Sequence, residues 1–239
     1  MEQEKSDFTM RKVKTGIQGL DKMLNGGLIE GRPYLVIGGP GAGKSILAIQ
    51  FLMISINRGE SALYITLDEP YDEIRQNMAT FGWNTSKIRI LDLSPEGEDS
   101  DPANYGLDYL FDELKNELRA QKHKRVAFDS TTTLRMLDDS DFKARRRISS
   151  IMKLLANSQC TSLLICEADT RELPVESFLA RGVIKLYTTT VSGEKIRAIG
   201  IEKMRGTAFD EHIRPLSISN QGIQVAADEF VFESFETKT

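Results

Sequence analysis

The sequence predicts an α/β protein with a mostly parallel central sheet, flanked by helices and completed by antiparallel C-terminal strands. From residue 34 to residue 166, short apolar runs typical of buried strands alternate with longer stretches of helical periodicity. Such alternation specifies a parallel sheet with helices on both faces. After Gly182 the β-rich runs follow one another directly, and residues 191–194 have the composition of a hairpin turn. We therefore expect the sheet to finish with antiparallel strands.

The elements are assigned in chain order from periodicity and turn residues. A short helix is expected at residues 19–24, because the glycine pair Gly26 and Gly27 follows it as a stop. Further helices are expected at residues 46–53, 71–81, 107–121 and 142–157. Parallel strands are expected at residues 34–37, 61–67, 88–93, 125–129 and 161–166. We expect one folded domain over residues 11–232, with flexible tails at residues 1–10 and 233–239.

A phosphate-binding P-loop follows the strand at residues 34–37. The pattern is Gly, four residues, then Gly-Lys-Ser, between a predicted strand and a predicted helix, as this motif requires. Its residues are Gly38, Gly39, Pro40, Gly41, Ala42, Gly43, Lys44 and Ser45. Glycines let backbone N–H groups turn toward a phosphate, and the helix start adds its positive dipole end. We expect Lys44 to reach the β- and γ-phosphates and Ser45 to ligate Mg²⁺.

Asp129 ends an apolar run and fits the aspartate that accompanies a P-loop, the Walker B residue. We expect its strand to lie beside the P-loop strand, so that the carboxylate holds the Mg²⁺ hydration shell opposite Ser45. Helix capping is the alternative role for an aspartate at a strand end. Many ATPases place a glutamate directly after this aspartate to orient the attacking water, whereas this chain has Ser130. The base must therefore come from elsewhere in the chain.

Asp68 and Glu69, at the end of the second parallel strand, are the candidates for the catalytic base. A carboxylate at this edge of the sheet can accept a hydrogen bond from a water in line with the γ-phosphate. The alternative is that both acids only stabilise the start of the helix after Pro70, where negative charge opposes the helix dipole. We expect at least one of them to be catalytic.

Composition limits the classes of function. The chain has 239 residues, and its 31 basic and 35 acidic residues give a net charge of −4. No overall positive field draws it to nucleic acid or to an anionic membrane. The two cysteines, Cys160 and Cys166, match neither a zinc pattern nor a disulfide framework, and no apolar segment is long enough to span a bilayer. We expect a cytoplasmic protein.

Several short stretches, in their order and spacing, resemble the RecA superfamily and, within it, the single-domain KaiC-like ATPases of archaea and bacteria. They lie at residues 15–21, 26–27, 38–45, 68–69, 81–83, 128–130, 180–184 and 203–207. The resemblance covers about residues 13–225 and implies a RecA-like P-loop NTPase fold. It also implies ATP as the nucleotide, a homo-oligomeric ring of six subunits, and active sites at the subunit interfaces.

The resemblance assigns Thr207 to nucleotide binding, and Lys203 and Arg205 to the γ-phosphate held by the neighbouring subunit. In a strand over residues 195–205, the two cations would share a face with Ile199 and Ile201. Such cations stabilise transition-state charge, as an arginine finger does. Protection of a sheet edge is the alternative.

Two departures from the KaiC-like pattern affect the expected activity. Asp68 stands where these proteins usually have the first of two glutamates, and Phe209 stands where they tend to have histidine. Asp68 is one methylene shorter, so we expect slow hydrolysis in a ring whose nucleotide state regulates a partner. The alternatives are an ATP-dependent scaffold without turnover, a kinase that phosphorylates itself on Ser177, and a recombinase paralogue.

The recombinase alternative would use the basic run formed by Lys143 and residues 145–147 to bind nucleic acid. A solvated helix face is the favoured interpretation of this run. The chain also has no basic stretch rich in aromatic residues, which are the usual stacking platforms for single strands. Nucleic acid is therefore not the favoured partner.

Overall fold

The computed structural model describes residues 10–94, 107–168 and 173–231. The predicted tails lie outside these ranges, apart from Met10. The strands are β1 (Lys12–Val13), β2 (Leu28–Ile29), β3 (Pro33–Gly38), β4 (Ala62–Thr66), β5 (Ile88–Asp92), β6 (Arg125–Asp129), β7 (Thr161–Glu167), β8 (Gly182–Val191), β9 (Glu194–Met204), β10 (Arg214–Ser219) and β11 (Gly222–Val225). The helices are α1 (Gln18–Met23), α2 (Lys44–Asn57), α3 (Tyr71–Ala79), α4 (Leu107–Ala120), α5 (Thr131–Met136), α6 (Asp141–Asn157) and α7 (Glu176–Leu179).

The main sheet has the strand order β11-β10-β9-β8-β3-β7-β6-β4-β5. Strands β5, β4, β6, β7, β3 and β8 run parallel to one another, whereas β8, β9, β10 and β11 pair in antiparallel fashion. The predicted α/β fold class is therefore confirmed, and the direction changes at the hairpin between β8 and β9. Strands β1 and β2 form a separate antiparallel pair.

The P-loop strand and the Walker B strand are not neighbours, so the predicted adjacency is wrong. Strand β7 lies between β3 and β6. The connection from β3 through α2 leads to β4, three positions away, and the chain later inserts β6 and β7 into the gap. Because α2 packs across this gap and contacts β6 and β7, a residue in its first turn still reaches the end of β6.

Helices cover both faces of the sheet, and the alternation of side chains along the strands decides which face each residue joins. Tyr34 and Val36 of β3 pack in the core beneath α1, α2 and α3, whereas Leu35 and Ile37 pack beneath α4, α5 and α6. The same alternation in β6 turns Asp129 toward the α2 face. The Walker B carboxylate therefore lies on the side of the sheet that carries the P-loop helix.

The hairpin between β8 and β9 turns at Ser192 and Gly193, as the sequence predicts. Both residues have positive φ, 51° and 84° respectively, which is the conformation that a two-residue type I′ hairpin requires. A glycine supplies the second of these angles without steric cost. The tight turn sends β9 back along the full length of β8.

A β-bulge in β9 corrects the predicted placement of Lys203. Ile184 pairs with Ile201, but Val183 pairs with Lys203, so Glu202 is the extra residue. The bulge reverses the alternation and turns Lys203 away from the face that carries Ile201. Arg205 follows the end of β9 rather than lying within the strand.

The helix α5 was not predicted from the sequence. Its residues 131–133 are all threonine, and β-branched side chains have low helix propensity. Ser130 nevertheless caps the helix, because its side chain accepts a hydrogen bond from the backbone N–H of Thr133. No helix in the described ranges combines the length and apolar composition that a bilayer span requires.

Candidate functional site

The P-loop joins β3 to α2 at one wall of a cleft of about 630 Å³. Its cleft-lining residues are Pro40, Gly41, Gly43, Lys44 and Ser45. Gly43 has φ +102°, and a Cβ there would lie 2.8 Å from Cδ1 of Ile218. Glycine at this position therefore lets α2 begin directly at the cleft, where the unpaired N–H groups of its first turn can face an anion.

The other three P-loop residues, Gly38, Gly39 and Ala42, do not line the cleft. Gly38 is the last residue of β3, and Ala42 is buried in the core on the α2 side. The carbonyl of Gly39 accepts a hydrogen bond from Lys44 Nζ at 3.0 Å. These positions account for the whole motif that the sequence predicted to bind phosphate.

Ser45 and Asp129 meet at the cleft, as predicted for a magnesium site. Ser45 Oγ donates to Asp129 Oδ2 at 2.8 Å. Burial raises the pKa of the Asp129 carboxyl, and hydrogen bonds from Tyr64 and Ser45 oppose this shift. A hydroxyl and a carboxylate are hard oxygen donors of the kind that Mg²⁺ prefers, and Mg²⁺ usually takes only one or two carboxylates together with phosphate oxygens.

Tyr64 is a neighbour of the Ser45–Asp129 contact that sequence reasoning missed. It lies in the middle of β4, is almost fully buried, and its hydroxyl donates to Asp129 Oδ2 at 2.6 Å. Burial and the nearby Asp129 charge raise the Tyr64 pKa well above its usual value, so the hydroxyl keeps its proton. Only the sheet order brings β4 beside β6, so no local sequence signal indicates this contact.

Asp68 points toward the Walker B side of the cleft. Ser130 Oγ donates to Asp68 Oδ2 at 3.0 Å, and Thr133 Oγ1 donates to Asp68 Oδ1. Both hydroxyls belong to the cap and first turn of α5, the helix that the sequence did not predict. The two hydrogen bonds fix the orientation of the carboxylate at the cleft wall, where all three residues lie.

Glu69 also lines the cleft, but its carboxylate contacts α3 rather than α5. Its Oε2 accepts a hydrogen bond from Asn77 Nδ2 of α3 at 3.2 Å. Thr66 Oγ1 accepts from the backbone N–H groups of Asp68 and Glu69 and so fixes the turn that follows β4. The two adjacent acids therefore point to different elements, one to α5 and the other to α3.

Glu167 is a fourth acidic residue of the cleft and was not predicted. Strand β7 pairs in parallel with β3, so its last residue lies opposite Gly38, beside the P-loop. Glu167 Oε1 lies 3.2 Å from Lys44 Nζ. The sequence places the two residues 123 positions apart, and only the register of β3 and β7 joins them.

Arg197 is a basic residue of the cleft that was also missed. Ile199 of β9 pairs with Leu186 of β8, which pairs with Gly38 of β3. Residues before Ile199 therefore extend past the end of β3 toward the P-loop. Arg197 lines the cleft, and its Nε donates to the Gly41 carbonyl at 3.2 Å.

Lys203 and Arg205 lie at the end of the strands opposite to the P-loop of their own chain. Ile199 is level with Gly38, the last residue of β3. Measured from Ile199 along β9 and away from the cleft, Lys203 is about 13 Å and Arg205 about 20 Å distant. Lys203 Nζ donates to the Ser177 carbonyl, and Arg205 Nη2 donates to the Phe178 carbonyl at 3.4 Å. Burial, with the charges of Arg205 and Arg181, lowers the pKa of Lys203.

Thr207 and Ser177 do not line the cleft. Thr207 Oγ1 accepts a hydrogen bond from Lys12 Nζ at 2.8 Å. Ser177, the predicted phosphate acceptor, is 4% exposed, and its Oγ has no hydrogen-bond partner within the described ranges. Its hydroxyl is therefore closed off from solvent in this structure.

Half of the predicted basic run is neutralised by acidic neighbours. Lys143 Nζ lies 2.7 Å from Asp139, and Arg147 lies within 3.3 Å of both Asp138 and Asp108. Arg145 and Arg146 are exposed. This arrangement fits the interpretation of the run as a solvated helix face.

Comparison with known proteins identifies the family. A family model described as "ATPase: KaiC" matches residues 13–229. A UPF0273 protein of Aeropyrum pernix is 34% identical over 240 residues, which cover 92% of this chain and 95% of that protein. The circadian clock oscillator protein KaiC of Nostoc sp. is 31% identical over 237 residues, but these cover 94% of this chain and only 46% of the clock protein.

A solved structure supports the same assignment. The crystal structure of a KaiC-like protein from Pyrococcus horikoshii matches with a TM-score of 0.80 and 30% sequence identity, covering 90% of this chain and 99% of that one. The P-loop, the Walker B contact and the strand order agree with a RecA-like fold. The chain belongs to the KaiC family of ATPases.

Proposed function

We propose that this chain is a ring-forming ATPase that binds Mg-ATP, hydrolyses it slowly, and controls a partner protein through its nucleotide state. One ATPase domain at residues 11–232 would carry this activity. The observation that supports it most is the contact of Ser45 with Asp129, 2.8 Å apart, at the start of the P-loop helix. A hydroxyl and a carboxylate so placed are the two protein ligands that a P-loop NTPase uses for Mg²⁺.

In this proposal the P-loop binds the phosphate chain through its backbone N–H groups, and Lys44 pairs with the β- and γ-phosphates. Ser45 and Asp129 would hold Mg²⁺, which when bound neutralises charge on the β- and γ-phosphate oxygens. Arg197, which already contacts the carbonyl of Gly41, is placed to add a second positive charge from the same chain.

We assign the water-orienting role to Asp68 rather than to Glu69. Asp68 shares the cleft wall with Asp129 and Ser130, and two hydroxyls orient its carboxylate. Glu69 instead bonds to Asn77 on α3. Asp68 is shorter than the usual glutamate, and the distance that a water must bridge is correspondingly longer. A rate lower than that of a glutamate-bearing enzyme follows from this geometry.

Lys203 and Arg205 would act on the nucleotide of a neighbouring subunit, because both lie far from the P-loop of their own chain. Together with Arg181 they form a cationic group, and none of the three makes an ion pair in the part of the chain that the structure describes. An incoming γ-phosphate would supply the missing negative charge. A closed ring, with six subunits as in the resemblance, would complete each site between two copies.

The proposal is tested by native mass measurement with and without Mg-ATP, followed by measurement of phosphate release. We expect Mg-ATP to promote a ring and the ring to release phosphate. Lys44→Ala is the control, since it should lose both effects while it keeps the fold. A wild-type chain whose melting temperature does not rise with Mg-ATP would contradict the P-loop assignment.

A scaffold without turnover is the second candidate function. Both oxygens of Asp68 already accept hydroxyl hydrogen bonds within the chain, which leaves less capacity to orient a water. In that case Mg-ATP would promote the ring, but no phosphate release would exceed that of Lys44→Ala. We do not assign autophosphorylation, because the Ser177 hydroxyl is buried.

A further inference from the structure

We propose that Glu167 is the counter-ion that the phosphate chain of the nucleotide displaces from Lys44. Because the carboxylate competes with the phosphates for Lys44, it lowers the affinity for nucleotides. Only a nucleotide with a β- or γ-phosphate can displace it. This inference rests on the proposed function, since it requires that Lys44 binds those phosphates.

The ion pair joins two side chains with very different access to water. Lys44 Nζ lies 3.2 Å from Glu167 Oε1, and the side chains are 7% and 52% exposed, respectively. A buried ammonium needs a partner, because desolvation of an unpaired charge costs several kcal/mol. A half-exposed carboxylate can turn to water at low cost. The pair is therefore suited to exchange, with Lys44 staying in place and Glu167 leaving.

The backbone of Glu167 is held firmly, so the exchange needs only a side-chain movement. Its N–H donates to Thr132 Oγ1 at 2.7 Å, and parallel pairing with Gly38 fixes the strand end beside the P-loop. Lys44 Nζ keeps a second hydrogen bond, at 3.0 Å, to the Gly39 carbonyl. The lysine is thus already oriented along the loop that would bind the phosphates.

The charges of the cleft explain why displacement of Glu167 would distinguish ADP and ATP from AMP. Its acidic lining residues are Asp68, Glu69, Asp129 and Glu167, and its basic lining residues are Lys44 and Arg197. An anion that does not reach Lys44 leaves the nearly neutral ion pair intact, so it neither competes with Glu167 nor gains the charge of Lys44. ADP and ATP carry phosphates that reach Lys44, whereas AMP carries only the α-phosphate.

Glu167→Gln and Glu167→Ala test the proposal through dissociation constants, measured by calorimetry in Mg²⁺ for ADP, a non-hydrolysable ATP analogue and AMP. Both variants should bind ADP and the ATP analogue about fivefold to tenfold more tightly than the wild type, because the competing charge is gone. Affinity for AMP should not change. Glu73→Gln on α3 removes an equal charge from an exposed position outside the cleft and should change none of the constants.

The thermal stability of the nucleotide-free protein gives an independent readout. Loss of the Glu167 charge should lower it, because Lys44 loses a partner, while affinity for ADP rises. Unchanged or weaker binding of ADP and the ATP analogue in both variants would overturn the inference, as would an equal gain for AMP. If the wild type binds none of the nucleotides, the proposed function itself fails. If it binds them and the variants do not differ from it, only the role of Glu167 fails.

Discussion

The two ends of β9 carry basic residues in different surroundings. Near the hairpin, Arg197 contacts the P-loop of its own chain through the Gly41 carbonyl. At the far end, about 20 Å away along the strand, the side chains of Lys203 and Arg205 donate hydrogen bonds to carbonyls of the four-residue helix α7. One end therefore lines the cleft, whereas the other carries a half-buried lysine and an exposed arginine.

Under the proposed function, this difference would let one strand serve two nucleotide sites. The cleft contains acids, a lysine and an arginine that already have partners within the chain. At the far end, burial and, second to it, repulsion by Arg205 and Arg181 lower the pKa of Lys203. Such crowding is relieved when an anion arrives. If the far end completes a neighbour's cleft, nucleotide binding and ring assembly depend on each other.

The largest expected effect comes from removing the Arg205 side chain at the far end of β9 while the cleft stays intact. Arg205→Ala should lower the rate of phosphate release by about a thousandfold or more, as loss of an arginine finger does. Lys44→Ala should be equally inactive, because it cannot hold ATP. After dissociation and mixing of equal amounts, about a quarter of random interfaces pair an intact cleft with an intact finger. We expect phosphate release from the mixture to rise well above that of either variant alone.

The mixing experiment decides where Arg205 acts. Subunit exchange is verified by native mass spectrometry, using the two variants at distinct isotope labels. If subunits exchange but activity equals the mean of the separate variants, Arg205 does not act on a neighbour. The two ends of β9 then do not serve different nucleotide sites.

Within the cleft, Asp68→Asn should slow phosphate release by about a hundredfold, because the amide cannot accept a proton from water. Glu69→Gln should have a smaller effect, since Glu69 bonds to α3 rather than to the Walker B side. Both variants should keep the ATP-induced rise in melting temperature. Complete loss of phosphate release in Glu69→Gln alone would reverse the assignment of the two acids.

Thr133→Val removes one of the two hydroxyls that orient Asp68 and nearly preserves the side-chain volume. We expect the turnover number to fall about twentyfold with little change in KM, because the lost hydrogen bond is made to a charged group. Thr133→Ser keeps the hydroxyl and should restore most of the rate. A Thr133→Val enzyme with wild-type turnover would show that this hydrogen bond does not position the carboxylate for catalysis.

Tyr64→Phe should have the smallest effect, since Ser45 still donates to Asp129 in this variant. We expect the Mg²⁺ concentration that half-maximally tightens ADP binding to rise about tenfold, as for other residues that orient a metal ligand. Tyr34→Phe is the matched control. Tyr34 is also buried, but it lies near the start of β3, away from the cleft, and its hydroxyl donates to the Ile29 carbonyl of β2. An equal response in both variants would point to a general loss of stability rather than to the magnesium site.

Local signals were enough to predict the parts of the site that lie within one element. The P-loop, the strand that ends at Asp129, and the hairpin at Ser192 and Gly193 each depend on residues close together in the chain. Backbone angles and helix starts are decided over a few residues, so spacing and composition carry the information. The same holds for the change from parallel to antiparallel pairing after Gly182.

Contacts between elements were predicted poorly when they depended on strand order or on one extra residue. The expected neighbour of β3 was β6, but β7 occupies that place. The face of Lys203 was wrong because a bulge adds Glu202 to β9. The helix α5, with its threonines, was missed because its propensity is low and its stability comes from the Ser130 cap and from packing against β7 and α6.

The sequence by itself determined the α/β class, the P-loop and the identity of the two proposed magnesium ligands, since these follow from short-range backbone and side-chain chemistry. Only the tertiary structure decided which residues surround them. Strand order brought Tyr64 to Asp129, parallel register brought Glu167 to Lys44, and the length of β9 separated Arg197 from Arg205. The physical reason is that residues distant in the chain meet through sheet pairing, which is selected by the packing of the whole core and not by any local pattern.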